Sequence, residues 1–157
     1  MFKQENIRSK ARAGIVFPTD YKNGGLGITA YNGTGAALVI GKAYLLTYGG
    51  TEGQEVKIAA PATNTTFLQH VVVALEAVPD EEIGYFQLSG DCQALLAGTA
   101  IAAGDFLEVV NAADQLVETG TSRTINCVAI AKEAQAAAGS VLTDVQMIGE
   151  GTLIAAS

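Results

Sequence analysis

One histidine, two cysteines and one run of adjacent acids are the residues here that could carry proton transfer, thiol chemistry or a hard cation. His70 stands in Leu68-Gln69-His70-Val71-Val72-Val73. A catalytic histidine needs a nucleophile and an orienting acid within reach, and no serine lies in a nucleophile-elbow pattern. His70 therefore reads as a structural or surface residue of a strand. Asp80-Glu81-Glu82 follows Pro79; a hard cation needs several converging oxygens, so this run reads as a solvated turn. Cys92 and Cys127 show no CxxC spacing, which points to neither a disulfide framework nor a zinc site. Both sit among apolar residues and read as buried thiols acting as small hydrophobes. Gly24-Gly25-Leu26-Gly27 and Gly33-Thr34-Gly35 lack the Lys-Ser/Thr of a phosphate loop and the third glycine of a dinucleotide loop. No catalytic, cofactor-binding or metal-binding residue is assigned, and the chain reads as a non-enzyme that needs no cofactor.

Charge is unevenly spread. Residues 1–30 hold five basic against two acidic residues, a net of +3, and the remainder holds four against fourteen, a net of −10. An acidic body is repelled by nucleic acid and by anionic membranes, whereas a basic segment suits docking on something negative. The aromatic residues are dispersed and form no base-stacking platform. No run reaches the roughly 18 apolar residues of a membrane helix, and the opening residues lack the apolar stretch of a secretory signal. The expectation is a protein made in a reducing compartment, with neither nucleic acid nor membrane as partner.

The elements that would position these residues are strands. After Gly35, short apolar or alternating runs alternate with Gly, Pro, Asn and Asp: AALVI, AYLLTY, EVKIAA, FLQHVVVALEA, IGYFQLS, CQALLA, DFLEVV, QLVE, INCVAIA, VLTDVQMIG and TLIAA. Runs of this length and spacing predict an all-β sandwich or barrel of about ten strands. Lys132 to Ala138 is the one helix candidate; it is too short to stand alone, so at most one or two turns are expected near 132–138. Residues 1–34 carry many glycines and Pro18 among scattered apolar groups. They read as an extended N-terminal arm that orders on a partner, leaving 35–157 as a single β-rich domain.

That domain repeats itself. Val73-Ala74-Leu75 echoes Val128-Ala129-Ile130, and Glu76-Ala77 echoes Glu133-Ala134. Gln87 to Asp91 echoes Gln146 to Glu150, and Gly41 stands opposite Gly104 in VIGKAYLLTY and AAGDFLEVV. The copies run from about 35 to 97 and from about 98 to 157. One such copy could not bury both of its faces, and two can close on each other.

Ala100-Ile101-Ala102-Ala103-Gly104-Asp105, Val128 to Gly139 and Val145-Gln146-Met147-Ile148-Gly149 together resemble the capsid decoration, or cement, proteins of tailed bacteriophages. The resemblance covers mainly 97–150, with a weaker echo in 35–97. It implies a virion protein, made in the host cytoplasm, on the outer surface of the icosahedral head. There it would bridge neighbouring major capsid subunits as a homo-oligomer, a dimer or a trimer. Under that reading Lys3, Arg8, Lys10 and Arg12 of the arm meet acidic groups of the capsid. Phe2, Ile7, Phe17 and Tyr21 fill apolar pockets or extend a capsid sheet. The alternative is a receptor- or carbohydrate-binding β-module of a spike or fibre, which predicts aromatics clustered on one loop face; the chain has no tryptophan.

Overall fold

A computed structural model describes residues 13–48, 56–59, 70–98, 100–109, 115–119, 127–135 and 141–148. All of its regular structure is strand: β1 (Val16–Thr19), β2 (Gly25–Asn32), β3 (Ala43–Tyr48), β4 (Val56–Ala59), β5 (His70–Ala74), β6 (Ile83–Ala97), β7 (Phe106–Val109), β8 (Leu116–Glu118), β9 (Cys127–Ala131) and β10 (Leu142–Met147). The strands join in the order β1-β2-β4-β3-β5-β6-β10-β9-β7-β8, and β6 pairs additionally with β2 and β8. Those two extra pairings close the sheet twice. One five-stranded ring is β2-β4-β3-β5-β6 and the other is β6-β10-β9-β7-β8, with β6 common to both. The protein is an all-β barrel structure built from two similar halves.

The halves match strand for strand. In the first, β2 pairs antiparallel with β6 and parallel with β4, β3 pairs antiparallel with β4 and β5, and β5 with β6. In the second, the far end of β6 takes the place of β2, and β7, β8, β9 and β10 take the places of β3, β4, β5 and the near end of β6. The connecting bonds repeat as well. Gly41 N–H donates to Ala74 O and Gly104 N–H to Ala131 O, both at 2.8 Å. Leu75 N–H donates to Tyr85 O at 3.0 Å and Lys132 N–H to Asp144 O at 2.8 Å.

Two cores follow from this. Ile28, Leu38, Tyr44, Leu46, Ile58, Val72 and Phe86 fill the first; Cys92, Leu96, Leu107, Leu116, Ala129, Val145 and Met147 lie in the second. Along β6 the even positions Phe86, Cys92, Ala94 and Leu96 supply both cores, as the two-residue period of a strand requires. β5 is apolar on both faces because Val72 and Ala74 fill the first core while Val73 joins the second. Burial on both sides removes the polar alternation expected of a half-exposed strand.

Three expectations are corrected. Residues 16–32, placed in an extended arm, form β1 and β2, and β2 buries Ile28, Ala30, Tyr31 and Asn32 in the body. The first half therefore starts at β2, ahead of the expected boundary at 35, and the halves overlap within β6. AALVI is no strand: Leu38 makes one isolated bridge to Val78. The start of the helix candidate, Lys132 to Gln135, is irregular. Its N–H groups go elsewhere, Lys132 to Asp144 O and Gln135 to Ile101 O, and Ala131 O, where the first helical bond from Gln135 would end, accepts from Gly104 N–H instead. Residues 136–138 lie outside the described residues, as does TLIAA.

Candidate interaction surface

β1 lies outside both rings and pairs only with β2, from Val16↔Ile28 to Thr19↔Gly25. Among the described strands it alone has an open edge. Phe17 lies over Gly27, where even a methyl group would overlap its ring, and meets Tyr85 edge-on with centroids 5.5 Å apart. Thr19 Oγ1 accepts from Gln87 Nε2 at 2.8 Å. β1 thus covers the outer face of the first ring. Pro18 has no N–H, and an outer strand is where a sheet tolerates that loss.

The chain then turns at Tyr21-Lys22-Asn23-Gly24 and crosses to the second ring. The register of β6 and β10 sets Asp91 and Gln146 side by side, as it does Gln93 and Asp144. All four project from the outer face, because Cys92 and Val145 between them fill the core. Tyr21 Oη donates to Asp144 Oδ1 at 2.6 Å, and Lys22 pairs with Asp144 Oδ2. Asn23 donates to Asp91 Oδ2 through its N–H at 3.2 Å and its side-chain amide at 3.0 Å. Lys132 Nζ sits 3.2 Å from both oxygens of Asp91, and Asp91 N–H donates to Gly24 O at 3.1 Å.

Asp91 is 2% exposed and Asp144 5%. Burial alone raises the Asp91 pKa, but the Asn23 N–H, the Lys132 ammonium and the Asn23 amide outweigh it, so the carboxyl titrates below its ordinary value. It stays ionised at neutral pH and holds the turn as an anion. Burial, with the Asp91 charge beside it, pushes the Cys92 thiol up to about 12. It remains a protonated, unreactive core group. Cys127, expected to be buried, is half-buried.

The residues expected to touch a partner separate into two groups. Phe2, Lys3, Ile7, Arg8, Lys10 and Arg12 lie outside the described residues. Phe17 and Tyr21 are described, and both are engaged within the chain, on Gly27 and Asp144. Sequence reasoning missed Asp91, Asp144, Lys22 and Lys132. The signal available was polar residues at alternate positions of LTDVQM, which marks an outward face without saying that a turn covers it.

Large apolar side chains are exposed at Ile15, Val16, Leu26, Val39, Ile40, Tyr85 and Val141. Ile15, Val16 and Leu26 belong to the β1–β2 edge. Val39 and Ile40 form a tip beside Gly41, which nests against Leu142 and Leu95 of the second ring. Asp80 is used locally, its Oδ1 accepting from Gly35 N–H at 3.1 Å. Among the described residues no group of three His, Cys, Asp or Glu could hold a metal ion, and no helix is long and apolar enough to cross a membrane.

No family model matches the chain, and no curated protein matches it. Among solved structures it is similar to the head fiber gp8.5 N base of bacteriophage phi29, with a TM-score of 0.53 and 20% identity. The match covers 77% of this chain and 92% of that one. At this identity the likeness is one of fold.

Proposed function

We propose that this chain is a structural virion protein of a bacteriophage that binds the outer surface of the head and cements neighbouring major capsid subunits as a homo-oligomer. The observation that carries the reading is the fold shared with nearly the whole of a head fiber base. Exposed apolar groups at the β1–β2 edge and the Val39-Ile40 tip support it, because contiguous apolar surface suits packing against other subunits. Lys3, Arg8, Lys10 and Arg12 precede β1 directly and supply charge that an acidic capsid surface would attract.

A second reading is favoured by the same likeness: the chain is itself a receptor- or carbohydrate-binding β-module of a virion spike or fibre, standing at its base. Both readings attach the chain to the head and differ in what it does there. Co-sedimentation of the full chain with undecorated expanded heads tests the attachment. Saturable binding at a fixed copy number is expected, and heads that sediment without it overturn both readings. Decorated heads that resist heating better than bare ones mark a cement; unchanged heads with binding to a glycan array mark a fibre base. Removing residues 2–12, which leaves β1 whole, should weaken binding while the barrel stays folded.

A further inference from the structure

Two Asn-Gly steps bracket β2, Asn23-Gly24 just before it and Asn32-Gly33 at its end. No other asparagine of the chain is followed by glycine. Such a step lets the side-chain amide close on the next backbone nitrogen, because glycine has no Cβ to stand in the way. The two asparagines differ in their freedom to make that move. Asn32 is fully buried. Its amide nitrogen donates to the carbonyls of Ala36, Val78 and Pro79 at 2.8, 3.2 and 3.0 Å. Its Oδ1 accepts from the Thr34 N–H at 3.1 Å and hydroxyl at 2.7 Å. Closing on Gly33 would give up contacts at both polar atoms in a place that water does not reach. Asn23 is exposed, and its side-chain amide donates to Asp91 Oδ2 at 3.0 Å. Lys22 before it has φ +50, so the turn that carries Asn23 is also strained.

We propose that Asn23 is a site of spontaneous deamidation and that Asn32, with the same neighbour in sequence, is protected by the fold. The Gly24 nitrogen loses its proton and attacks Asn23 Cγ. The new C–N bond closes a five-membered imide, and the amide nitrogen leaves as ammonia. Water then opens the imide. Attack at Cγ gives aspartate, and attack at the backbone carbonyl gives isoaspartate. Either product puts a carboxylate where an amide donated to Asp91 Oδ2. Asp91 is 2% exposed and ionised, and neighbouring like charges repel. Asp91 keeps Lys132 at 3.2 Å, so the exposed newcomer is the one that moves. Tyr21 and Lys22 still hold Asp144. No strand pairing passes through Asn23, since β1 ends at Thr19 and β2 begins at Gly25. The charge change therefore loosens the β1–β2 connection where it lies on the second ring and leaves both rings whole.

Ageing the full chain in mildly alkaline buffer tests the site, with mass spectrometric fragmentation assigning each conversion to its residue. Asn23 should convert to aspartate and isoaspartate. Asn32 should convert roughly 10-fold or more slowly, the scale of two or more net hydrogen bonds that must be lost first. In unfolding urea the two should convert at similar rates, because local sequence is then the only control. Equal rates in the native chain, a faster Asn32, or a native Asn23 that stays intact while the unfolded chain converts would each overturn the proposal. Asn23→Asp makes one product directly. Amides of residues 21–24 should exchange faster in it than in the wild type, with β2 from Ile28 onward unchanged. Equal protection of the turn in both proteins would overturn the effect on Asp91. The wild-type ageing comparison decides the site even if the variant fails to fold.

Discussion

The two rings use one backbone plan and finish it with different side chains. The N–H of Val39 and that of Ala102 occupy the same place ahead of β3 and β7. Val39 N–H donates to the Tyr44 hydroxyl at 3.1 Å, whereas Ala102 N–H donates to Asp105 Oδ2 at 2.7 Å. Elsewhere the solution is identical: Glu76 Oε1 accepts from Tyr85 N–H at 3.3 Å and Glu133 Oε1 from Asp144 N–H at 3.0 Å. The exposed tips diverge, Val39-Ile40-Gly41-Lys42 against Ala102-Ala103-Gly104-Asp105. Of the seven large apolar residues exposed among the described ones, only Val141 belongs to the second ring. The comparison teaches that donors at fixed backbone positions must be satisfied in both rings. What shows to solvent is free to differ, and among the described residues the first ring exposes more large apolar side chains.

Core truncation should break the equivalence most severely. Phe86→Ala empties a fully buried site in the first ring and should cost about 3–5 kcal/mol. Leu107→Ala does the same in the second, at about 2–5 kcal/mol. Chemical denaturation of each variant measures the cost. If the rings were independent, each variant would show one ring unfolding early and the other unmoved. The shared β6 and the burial of Ala43 and Val73 in the second core predict instead that each lowers the single transition.

Acid probes the Tyr21–Gly24 turn next. The Asp91 carboxyl is depressed in the folded state, so its contribution is complete above its ordinary value of 3.8 and fades as pH falls through the lower folded value. Wild type should exceed Asp91→Asn by about 1–3 kcal/mol near neutrality, the cost of losing charge-assisted bonds at a buried site. The gap should close below pH 3.8. Urea midpoints for both proteins across that range check it, and a pH-independent gap would show that shape, not charge, holds the turn.

Much of this comparison is legible in the chain, and its misreadings have physical causes. Pairing Glu76-Ala77 with Glu133-Ala134, Gln87 with Gln146 and Gly41 with Gly104 agrees with the ladders. Pairing Val73-Ala74-Leu75 with Val128-Ala129-Ile130 does not: the registers put Ile130-Ala131-Lys132 there. A strand slid by two residues presents the same face, so apolar patterns cannot resolve that shift. Gly90-Asp91 reads as a turn between two strands, yet β6 runs through it, because glycine bends the strand and the Asp91 charge is covered by a distant turn. β2 reads as part of an arm because its glycines signal loop. Gly27 is instead small so that Phe17 can lie on it. The proposed attachment to a phage head is open to reading only through resemblance, since apolar tips carry no motif.

Removing one shared bond sharpens the comparison further. Glu76→Ala and Glu133→Ala delete equivalent acceptors and should each cost about 0.5–1.5 kcal/mol. The shorter, partly buried bond of Glu133 should sit at the upper end. Thermal melts of the pair measure the difference, and equal costs would mean that the surrounding burial contributes nothing.

The smallest stability effect belongs to the tips, and it carries the functional content of the comparison. Exchanging them, with Val39→Ala and Ile40→Ala in the first ring or Ala102→Val and Ala103→Ile in the second, alters exposed positions and should move stability within about 0.5 kcal/mol. Adhesion should respond far more. Truncating Val39 and Ile40 removes exposed apolar area and should lower the amount of protein carried down by phage heads. Placing the same pair on the second ring adds an apolar tip where the chain now has Ala-Ala-Gly-Asp, and it should raise self-association in sedimentation velocity without restoring head binding. Restored head binding would mean that an apolar tip suffices wherever it sits. Unchanged binding of the Val39→Ala, Ile40→Ala protein would move the contact to the β1–β2 edge, where Ile15, Val16 and Leu26 are the next side chains to truncate.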